Sequence, residues 1–332
     1  MGQTLGLYLK KYWFFVGLVT VSLTTVLDCS GKVASLGTLC QAYGLQEIVI
    51  FAIFFLSGLG LETPEWQVGL KDLRAIIAAL CMIFVISPGL ALPVTLIDLP
   101  TGYWIGFVLV VIMPTTLSSG VVMTKASGGN AATALIITVL ANFLAIFTVP
   151  PYLKAFLHVS NPDLTGVINT EALIKRMFYL VAFPIILGCL ARTLARRLGI
   201  PKGWMNKTGV INSIFIIVMV WIAVSRSRDT FLVSAGNLAI LSFLVGLYHS
   251  LNLACAFLLC RIMRIPPGRD IAVIFMGCQK TLTLAVLLQT TVFPQYGESL
   301  LICVLHHLIH LFIDGYLVGL LRDRQPAVNA AA

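Results

Sequence analysis

GFVLVVIMPTTLSSGVVMTKASGGN, residues Gly106–Asn130, decides the fold because it combines an apolar run with a break that lipid does not tolerate. Pro114 removes a backbone donor in the middle of the run, and Gly120 follows within the same stretch. Backbone groups freed in this way find no partner in hydrocarbon, so the stretch must face protein or a wet cavity. We therefore predict a broken membrane helix. The simpler alternative is a proline kink whose hydroxyls bond back to the helix.

A second stretch, AVIFMGCQKTLTLAVLL at Ala272–Leu288, has the same character, with Gly277 and several polar residues in its middle. Two polar, Gly- or Pro-interrupted helices at matching places in two halves of a chain indicate a substrate site near the middle of the membrane. The predicted substrate or ion pathway takes residues from both stretches, their flanks and the last span: Pro114, Thr115, Thr116, Ser118, Ser119, Thr124, Lys125, Asn130, Thr133, Gly277, Gln279, Lys280, Thr281, Thr283 and His307.

The rest of the chain is equally apolar. Of its 332 residues, 59% are hydrophobic and only 11% are charged, whereas a soluble domain carries roughly 25% charged residues. Runs of about 17 to 25 apolar residues recur along the chain without the alternation of membrane strands, and each can cross the bilayer as a helix. This composition excludes an ordinary soluble enzyme and predicts an all-α integral membrane protein. The ten predicted spans are residues 12–27, 46–61, 73–97, 102–126, 129–156, 171–195, 206–224, 236–262, 269–291 and 297–320.

The most polar connection, residues 158–170, separates two sets of five spans. We predict a first five-helix repeat at 1–157, a linker at 158–170, a second five-helix repeat at 171–322 and a short cytoplasmic tail at 323–332. An odd number of spans per half gives the halves opposite orientations, as in inverted-repeat transporters. Most Lys and Arg residues fall on the side of the N-terminus, which predicts cytoplasmic termini in a plasma or inner membrane. The net charge of +9 therefore reports orientation and does not indicate a nucleic-acid partner.

Two lysines, Lys125 and Lys280, lie within predicted spans. An ammonium near the bilayer centre costs about 2.5 to 3.5 kcal/mol on insertion scales and is rarely kept without a partner. Either the lysines bind an anionic substrate, or they stand in for a coupling cation and exchange a proton as access alternates. The alternative is that their side chains reach the membrane surface.

The last span carries three histidines and a carboxylate, and the spacing 306, 310 and 314 puts three of them on one helical face. This spacing fits a proton relay, a metal site or a buried hydrogen-bonded stripe, and H-x-x-x-H without a glutamate is weak evidence for zinc. Hydrolase and phosphate-loop motifs are absent from the sequence, so we predict neither an enzymatic activity nor a cofactor.

Three strings carry a family resemblance: FFLSGLGL at 54–61, MPTTLSSGVVMTKASGGNAA at 113–132 and CQKTLTLAV at 278–286. They resemble the bile acid:sodium symporter superfamily, in particular the branch of the seventh member of human solute carrier family 10, and the likeness runs through nearly the whole chain. The resemblance implies ten helices, with a panel domain of spans 1, 2, 6 and 7 and a core domain of spans 3–5 and 8–10. It also implies that spans 4 and 9 cross at the site.

The resemblance breaks down at the sodium ligands. Sodium-coupled members carry an acidic residue in the ninth span, and the aligned residue here is Phe275, whose apolar ring cannot ligate sodium. Other polar positions of those members align with Ile83 and Gly120. Three oxygen donors remain as weak sodium ligands: Ser119, Thr133 and Gln279. Sodium coupling is therefore left open, and the resemblance suggests that Lys280 supplies the missing positive charge.

Together these features predict a secondary transporter of a small anionic organic solute that works by alternating access in a lipid bilayer. Relatives in this branch are linked with calcium homeostasis, and a non-transporting membrane regulator of calcium is the alternative. The sequence carries no signal for oligomeric state.

Overall fold

The computed structural model describes residues 2–60, 72–97, 99–117, 119–160, 162–199, 208–229 and 237–323. The predicted all-α class is confirmed, since none of these residues forms a β-strand. The α-helices are α1 (Gly2–Leu27), α2 (Lys32–Ala42), α3 (Leu45–Gly60), α4 (Leu73–Cys81), α5 (Ser87–Ala91), α6 (Thr101–Ile112), α7 (Ser119–Ala126), α8 (Ala131–Ser160), α9 (Thr170–Met177), α10 (Phe183–Arg197), α11 (Thr208–Arg226), α12 (Leu238–Ile262), α13 (Arg269–Cys278), α14 (Leu282–Val292) and α15 (Glu298–Asp323). One π-helical turn, Met82–Ile86, joins α4 to α5, and another, Phe178–Ala182, joins α9 to α10. Short 3-10 turns at Leu92–Leu96 and Pro162–Val167 follow α5 and α8.

The described residues contain seven helical stretches that are long and apolar enough to cross a membrane, or eight if a bent pair, Val16–Leu27 with Lys32–Ala42, counts as one span. The shorter helices α3 and α6 are apolar as well. The prediction of an integral membrane protein is confirmed by these stretches. The count of ten spans, their inverted repeats and the repeat boundaries stay predictions.

Helix α2 was not predicted from the sequence, which places a connection between the first two spans. The chain turns by 107° between α1 and α2. The turn is built by Gly31, whose backbone φ of +66° suits glycine, and by the carboxylate of Asp28, which accepts from the backbone N–H of Val33 at 2.8 Å. Hydroxyl and glycine residues lower the mean hydropathy of α2, so a search for long apolar runs does not detect this helix.

The helix before the predicted linker is longer than expected. The apolar run suggests an end near residue 156, whereas α8 continues to Ser160 and includes Pro150 and Pro151. The 3-10 turn that follows occupies the centre of the predicted linker.

Two groups of helices pack within themselves. In the first group, α3 packs against α10 and α11, and α11 also packs against α1 and α2. Glycines permit the closest of these contacts, because a Cβ on Gly188 would lie 2.1 Å from the carbonyl oxygen of Phe55, and one on Gly58 would lie 2.2 Å from that of Ile185. In the second group, α13 packs against α4, α7, α8 and α12, and α15 packs against α6, α12 and α14.

The stretch that holds the second predicted break lies inside the protein. Across Arg269–Val292 the most apolar window is 100% buried, whereas only 33% to 56% of the corresponding window is buried in the other candidate spans. The polar residues of α13 and α14 therefore face other helices, as the sequence requires.

Candidate functional site

Both predicted breaks are present, and they meet. Helix α6 ends at Ile112 and α7 begins at Ser119, while α13 ends at Cys278 and α14 begins at Leu282. The backbone N–H of Thr281 in the second break donates to the carbonyl oxygen of Pro114 in the first at 2.9 Å. Each break thus supplies a main-chain partner that the membrane interior does not provide.

Pro114 acts at the first break as predicted, because it has no N–H to continue the helix. Gly277 does not act at the second, and the expectation that it interrupts the helix is wrong. It lies inside the last turn of α13, where a Cβ would sit 2.9 Å from the Cβ of Met82. Its role is to let α13 approach the π-helical turn after α4. The break falls instead at residues 279–281, where Gln279 and Thr281 adopt extended backbone angles.

Lys280 lies within this second break and is only 2% exposed. Its ammonium nitrogen Nζ lies 3.0 Å from the carbonyl oxygen of Val111, 3.0 Å from that of Met113 and 3.4 Å from that of Ile83. The side chain therefore does not reach for the membrane surface. It points into the crossing and satisfies carbonyls that belong to two other spans.

Gln279, next to Lys280, connects the two broken helices through its side chain and is fully buried. Its Oε1 accepts from the hydroxyls of Thr116 at 2.7 Å and Ser119 at 3.1 Å. Its Nε2 donates to a carboxylate oxygen of Asp314 on α15 at 2.8 Å. The predicted residues Thr116, Ser119 and Gln279 are thus brought together, and Gln279 extends their network to α15.

The network continues through a buried carboxylate and histidine cluster. Asp314 lies 2.9 Å from Nε2 of His249 on α12 and 3.6 Å from Nδ1 of His310. His310 Nε2 in turn lies 3.0 Å from His307 Nδ1, and the His306 ring packs 5.2 Å from that of His310. These side chains are at most 5% exposed. Of the three expectations for this span, the contacts match a buried hydrogen-bonded stripe.

His249 was missed by the sequence reasoning. A single imidazole in an apolar run gives no pattern, and its partner Asp314 is 65 positions away.

Two other predicted residues belong to a separate cluster around Asp72, which the sequence reasoning also missed. The Asp72 carboxylate accepts from the hydroxyl of Thr133 at 2.6 Å and from the amide of Asn130 at 3.4 Å. Its other oxygen lies 2.7 Å from the guanidinium of Arg269. Asn130 also donates its backbone N–H to the carbonyl of Gly268 at 2.8 Å. This cluster joins the start of α4, the α7–α8 loop and the α12–α13 loop.

The remaining predicted residues differ in their surroundings. Thr115 is buried, and its backbone carbonyl accepts from Asn142 at 3.3 Å. The hydroxyl of Thr124 bonds back to the carbonyl of Gly120 at 2.7 Å, and Thr283 is 2% exposed. Lys125 is exposed near the end of α7, which agrees with the surface alternative for this lysine. Ser118 lies outside the described residues.

The three oxygen donors expected as weak sodium ligands are not held together. Ser119 and Gln279 are bonded to each other, whereas the Thr133 hydroxyl donates to Asp72. In the part of the chain that the structure describes, no group of three or more His, Cys, Asp or Glu side chains could hold a metal ion.

A cavity of about 600 Å³ lies away from the crossing, between α3, α9 and the end of α14. Its polar lining includes Asn169, Thr291 and an ion pair between Glu47 and Arg176. It contains none of the predicted site residues. It lies at the opposite end of α14 from Lys280, and 11 residues of helix correspond to about 16 Å.

A comparison with known protein families gives a match that covers nearly the whole chain. The model of the SBF-like CPA transporter family matches residues 12–323, nearly the whole chain. The chain belongs to the SBF-like CPA transporter family. Membership confirms the resemblance to the bile acid:sodium symporters that the three strings indicated.

Three relatives of this SBF-like CPA transporter are named as cotransporters. The chain is 33% identical to the "Probable sodium/metabolite cotransporter BASS4, chloroplastic" of Oryza sativa subsp. indica, over 89% of this chain and 73% of the relative. It is 26% identical to the "Sodium/bile acid cotransporter 7-A" of Xenopus laevis, over 97% and 96% of the two chains. The "Sodium/bile acid cotransporter 7" of Mus musculus is also 26% identical, over 95% and 93%. The family and these relatives are transporters, not enzymes.

Proposed function

We propose that this SBF-like CPA transporter is a secondary active transporter of a small anionic organic solute, which it moves by alternating access at the crossing of the two broken helices. The observation that carries the proposal is the hydrogen bond between Thr281 and Pro114, which joins the two breaks. Interrupted helices that meet inside a bundle are the arrangement from which transporters build their solute sites.

An anionic solute is supported by the charges near the crossing. Helices α7 and α14 both begin there, at Ser119 and Leu282, and the N-terminus of a helix carries partial positive charge. Thr281, which precedes α14, makes no side-chain cap to its N–H groups. Lys280 adds a buried ammonium beside them.

Alternating access is supported by the two groups of helices. We propose that α1, α2, α3, α9, α10 and α11 form a panel domain, that the remaining helices form a core domain, and that ten spans arise from two inverted five-helix repeats. The cavity beside Glu47 and Arg176 is lined by α3 and α9 of the proposed panel domain and by α14 of the proposed core domain. Movement between the groups would extend it along α14 toward Lys280.

Sodium plays no part in this proposal. The Gln279 side-chain oxygen is already bonded to two hydroxyls, and the Thr133 hydroxyl to Asp72. The named relatives do not support the alternative of a non-transporting calcium regulator, because they are named as cotransporters.

The test begins with purified wild-type protein in detergent, screened for thermal stabilisation by organic carboxylates, sulfates and phosphates. A ligand that binds only the folded form raises the unfolding midpoint, by about 2.7 kcal/mol of stability at 100 times its Kd. Anions that stabilise are then tested for counterflow in proteoliposomes. We expect flux in wild type and in Lys125→Ala, and loss of flux in Lys280→Ala when sodium and potassium are absent. A wild type that neither binds nor carries any of the anions contradicts the proposal.

A further inference from the structure

The environment of the Lys280 ammonium is made of main-chain oxygens. Three carbonyls, from Val111, Met113 and Ile83, lie within hydrogen-bond distance of Nζ. An ammonium has three N–H donors, so the charged form matches the three acceptors, whereas a neutral amine would leave one without a donor.

These carbonyls are available because of irregular backbone in two spans. In a continuous helix the carbonyl of Val111 would accept from the N–H of residue 115, but α6 ends at Ile112 before Pro114. Ile83 lies in the π-helical turn Met82–Ile86, where the hydrogen-bond register changes. Buried carbonyls need donors or a cation, and here one side chain from a third span serves all three.

The charge of Lys280 is not matched by a carboxylate among the described residues. None of their ion pairs includes Lys280, and the buried carboxylate nearest along the network, Asp314, is bonded instead to Gln279, His249 and His310. Within the described part of the chain, the ammonium is therefore held by carbonyl dipoles alone. A ring of carbonyl oxygens is also how selective channels replace the hydration shell of potassium.

We propose that Val111, Met113 and Ile83 form a carbonyl-lined site for a monovalent cation, and that the Lys280 ammonium fills this site as a cation tethered to the chain. The site needs no free cation while Lys280 is in place. Removing the side chain beyond Cβ opens it to a dissolved monovalent cation of similar size. The cation site itself does not depend on the proposed function. Only one consequence rests on that function, namely that wild-type transport requires neither sodium nor potassium.

The test measures binding and does not depend on transport. Purified wild type, Lys280→Ala and Lys280→Met are unfolded thermally in chloride salts of sodium, potassium, methylammonium or N-methyl-D-glucamine at equal ionic strength. We expect the midpoint of Lys280→Ala to rise by about 2 to 4 °C in at least one of the three small cations, relative to N-methyl-D-glucamine. Wild type should not respond, because its site is full. Lys280→Met should not respond either, because its apolar side chain occupies the space.

Lys125→Ala serves as the matched control, since this lysine is exposed. It removes the same charge and should leave the midpoint and its salt response as in wild type. If Lys280→Ala does not fold in N-methyl-D-glucamine, recovery of folded protein when it is expressed and purified in methylammonium chloride supports the site. The inference is overturned if no cation stabilises or recovers Lys280→Ala, or if sodium or potassium stabilises wild type equally well. Either result leaves the transport assay to be judged separately.

Discussion

The backbone nitrogen of Thr281 lies 2.9 Å from the carbonyl oxygen of Pro114, so a main-chain hydrogen bond joins the breaks of two different membrane spans. Each break thus has a backbone group whose partner lies in the other span. Because lipid offers no hydrogen bonds, such breaks persist only when each provides partners for the other or for nearby side chains. Lys280 and Gln279, on either side of the same peptide bond, supply those side-chain partners.

Gly120 keeps the crossing close-packed. A Cβ at this position would lie 2.6 Å from the sulfur of Met276 and 3.0 Å from Oε1 of Gln279, which is itself fixed by two hydroxyls. We expect Gly120→Ala to lower the free energy of unfolding by about 1 to 3 kcal/mol. Gly315→Ala is the control, because nothing lies within 4 Å of its added Cβ. Thermal unfolding in detergent compares them, and equal midpoints would contradict the geometry of the crossing.

The carboxylate of Asp314 is fully buried and contacts three side chains, those of Gln279, His249 and His310. In Asp314→Asn the amide keeps the shape but loses the charge and half of the acceptor capacity. We expect a loss of about 1.5 to 3 kcal/mol in unfolding free energy, together with reduced solute flux. Asp229→Asn changes an exposed carboxylate and should stay within about 0.5 kcal/mol of wild type. Chemical denaturation measures both variants, and a neutral Asp314→Asn would argue against the network.

Gly188 allows α3 and α10 to approach through their backbones. Its added Cβ would lie 2.1 Å from the Phe55 carbonyl oxygen and 2.7 Å from the Leu59 nitrogen, and backbone atoms cannot yield as a side-chain end can. Gly188→Ala should therefore be destabilised by about 3 kcal/mol or more. Gly209→Ala, also in a helix, meets nothing within 4 Å and should be neutral or slightly stabilised. The yield of folded protein and its unfolding midpoint test the pair.

The ion pair between Asp72 and Arg269 joins the starts of α4 and α13, which are far apart in sequence, with the Asp72 side chain 1% exposed and that of Arg269 41%. A double-mutant cycle with Asp72→Asn and Arg269→Gln should give a coupling energy of about 1 kcal/mol that falls as salt is added. The exposed pair Glu171 and Lys175, whose N–O distance is 2.6 Å, should show weaker coupling in a parallel cycle. Equal coupling in the two cycles would show that the burial of Asp72 adds nothing.

The first break and the membrane-helical class could be predicted from the sequence. Pro114 removes a donor at a known place, and long apolar runs have few alternatives to a membrane helix. The second break could be placed only approximately. Residues 279–281 contain neither glycine nor proline, and their extended backbone is stabilised by partners from other helices, which hydropathy and spacing do not reveal.

The residues that were missed have distant partners too. Asp72 lies between Lys71 and Arg74 in the sequence and therefore resembles a solvated loop residue, although the structure buries it against Thr133 and Arg269. Local patterns indicate which segments are unusual, but long-range packing decides which of their side chains meet.

The most direct test of a solute pathway at the crossing is counterflow in proteoliposomes with an anion that stabilises the wild-type protein. Wild type and Gly315→Ala should exchange the labelled anion at similar rates. Gly120→Ala and Lys280→Met, reconstituted in equal amounts and confirmed as folded, should exchange it at least about tenfold more slowly, which corresponds to about 1.4 kcal/mol. Exchange by these two variants at the wild-type rate would contradict the account, because the solute would then cross without using the junction of the broken helices.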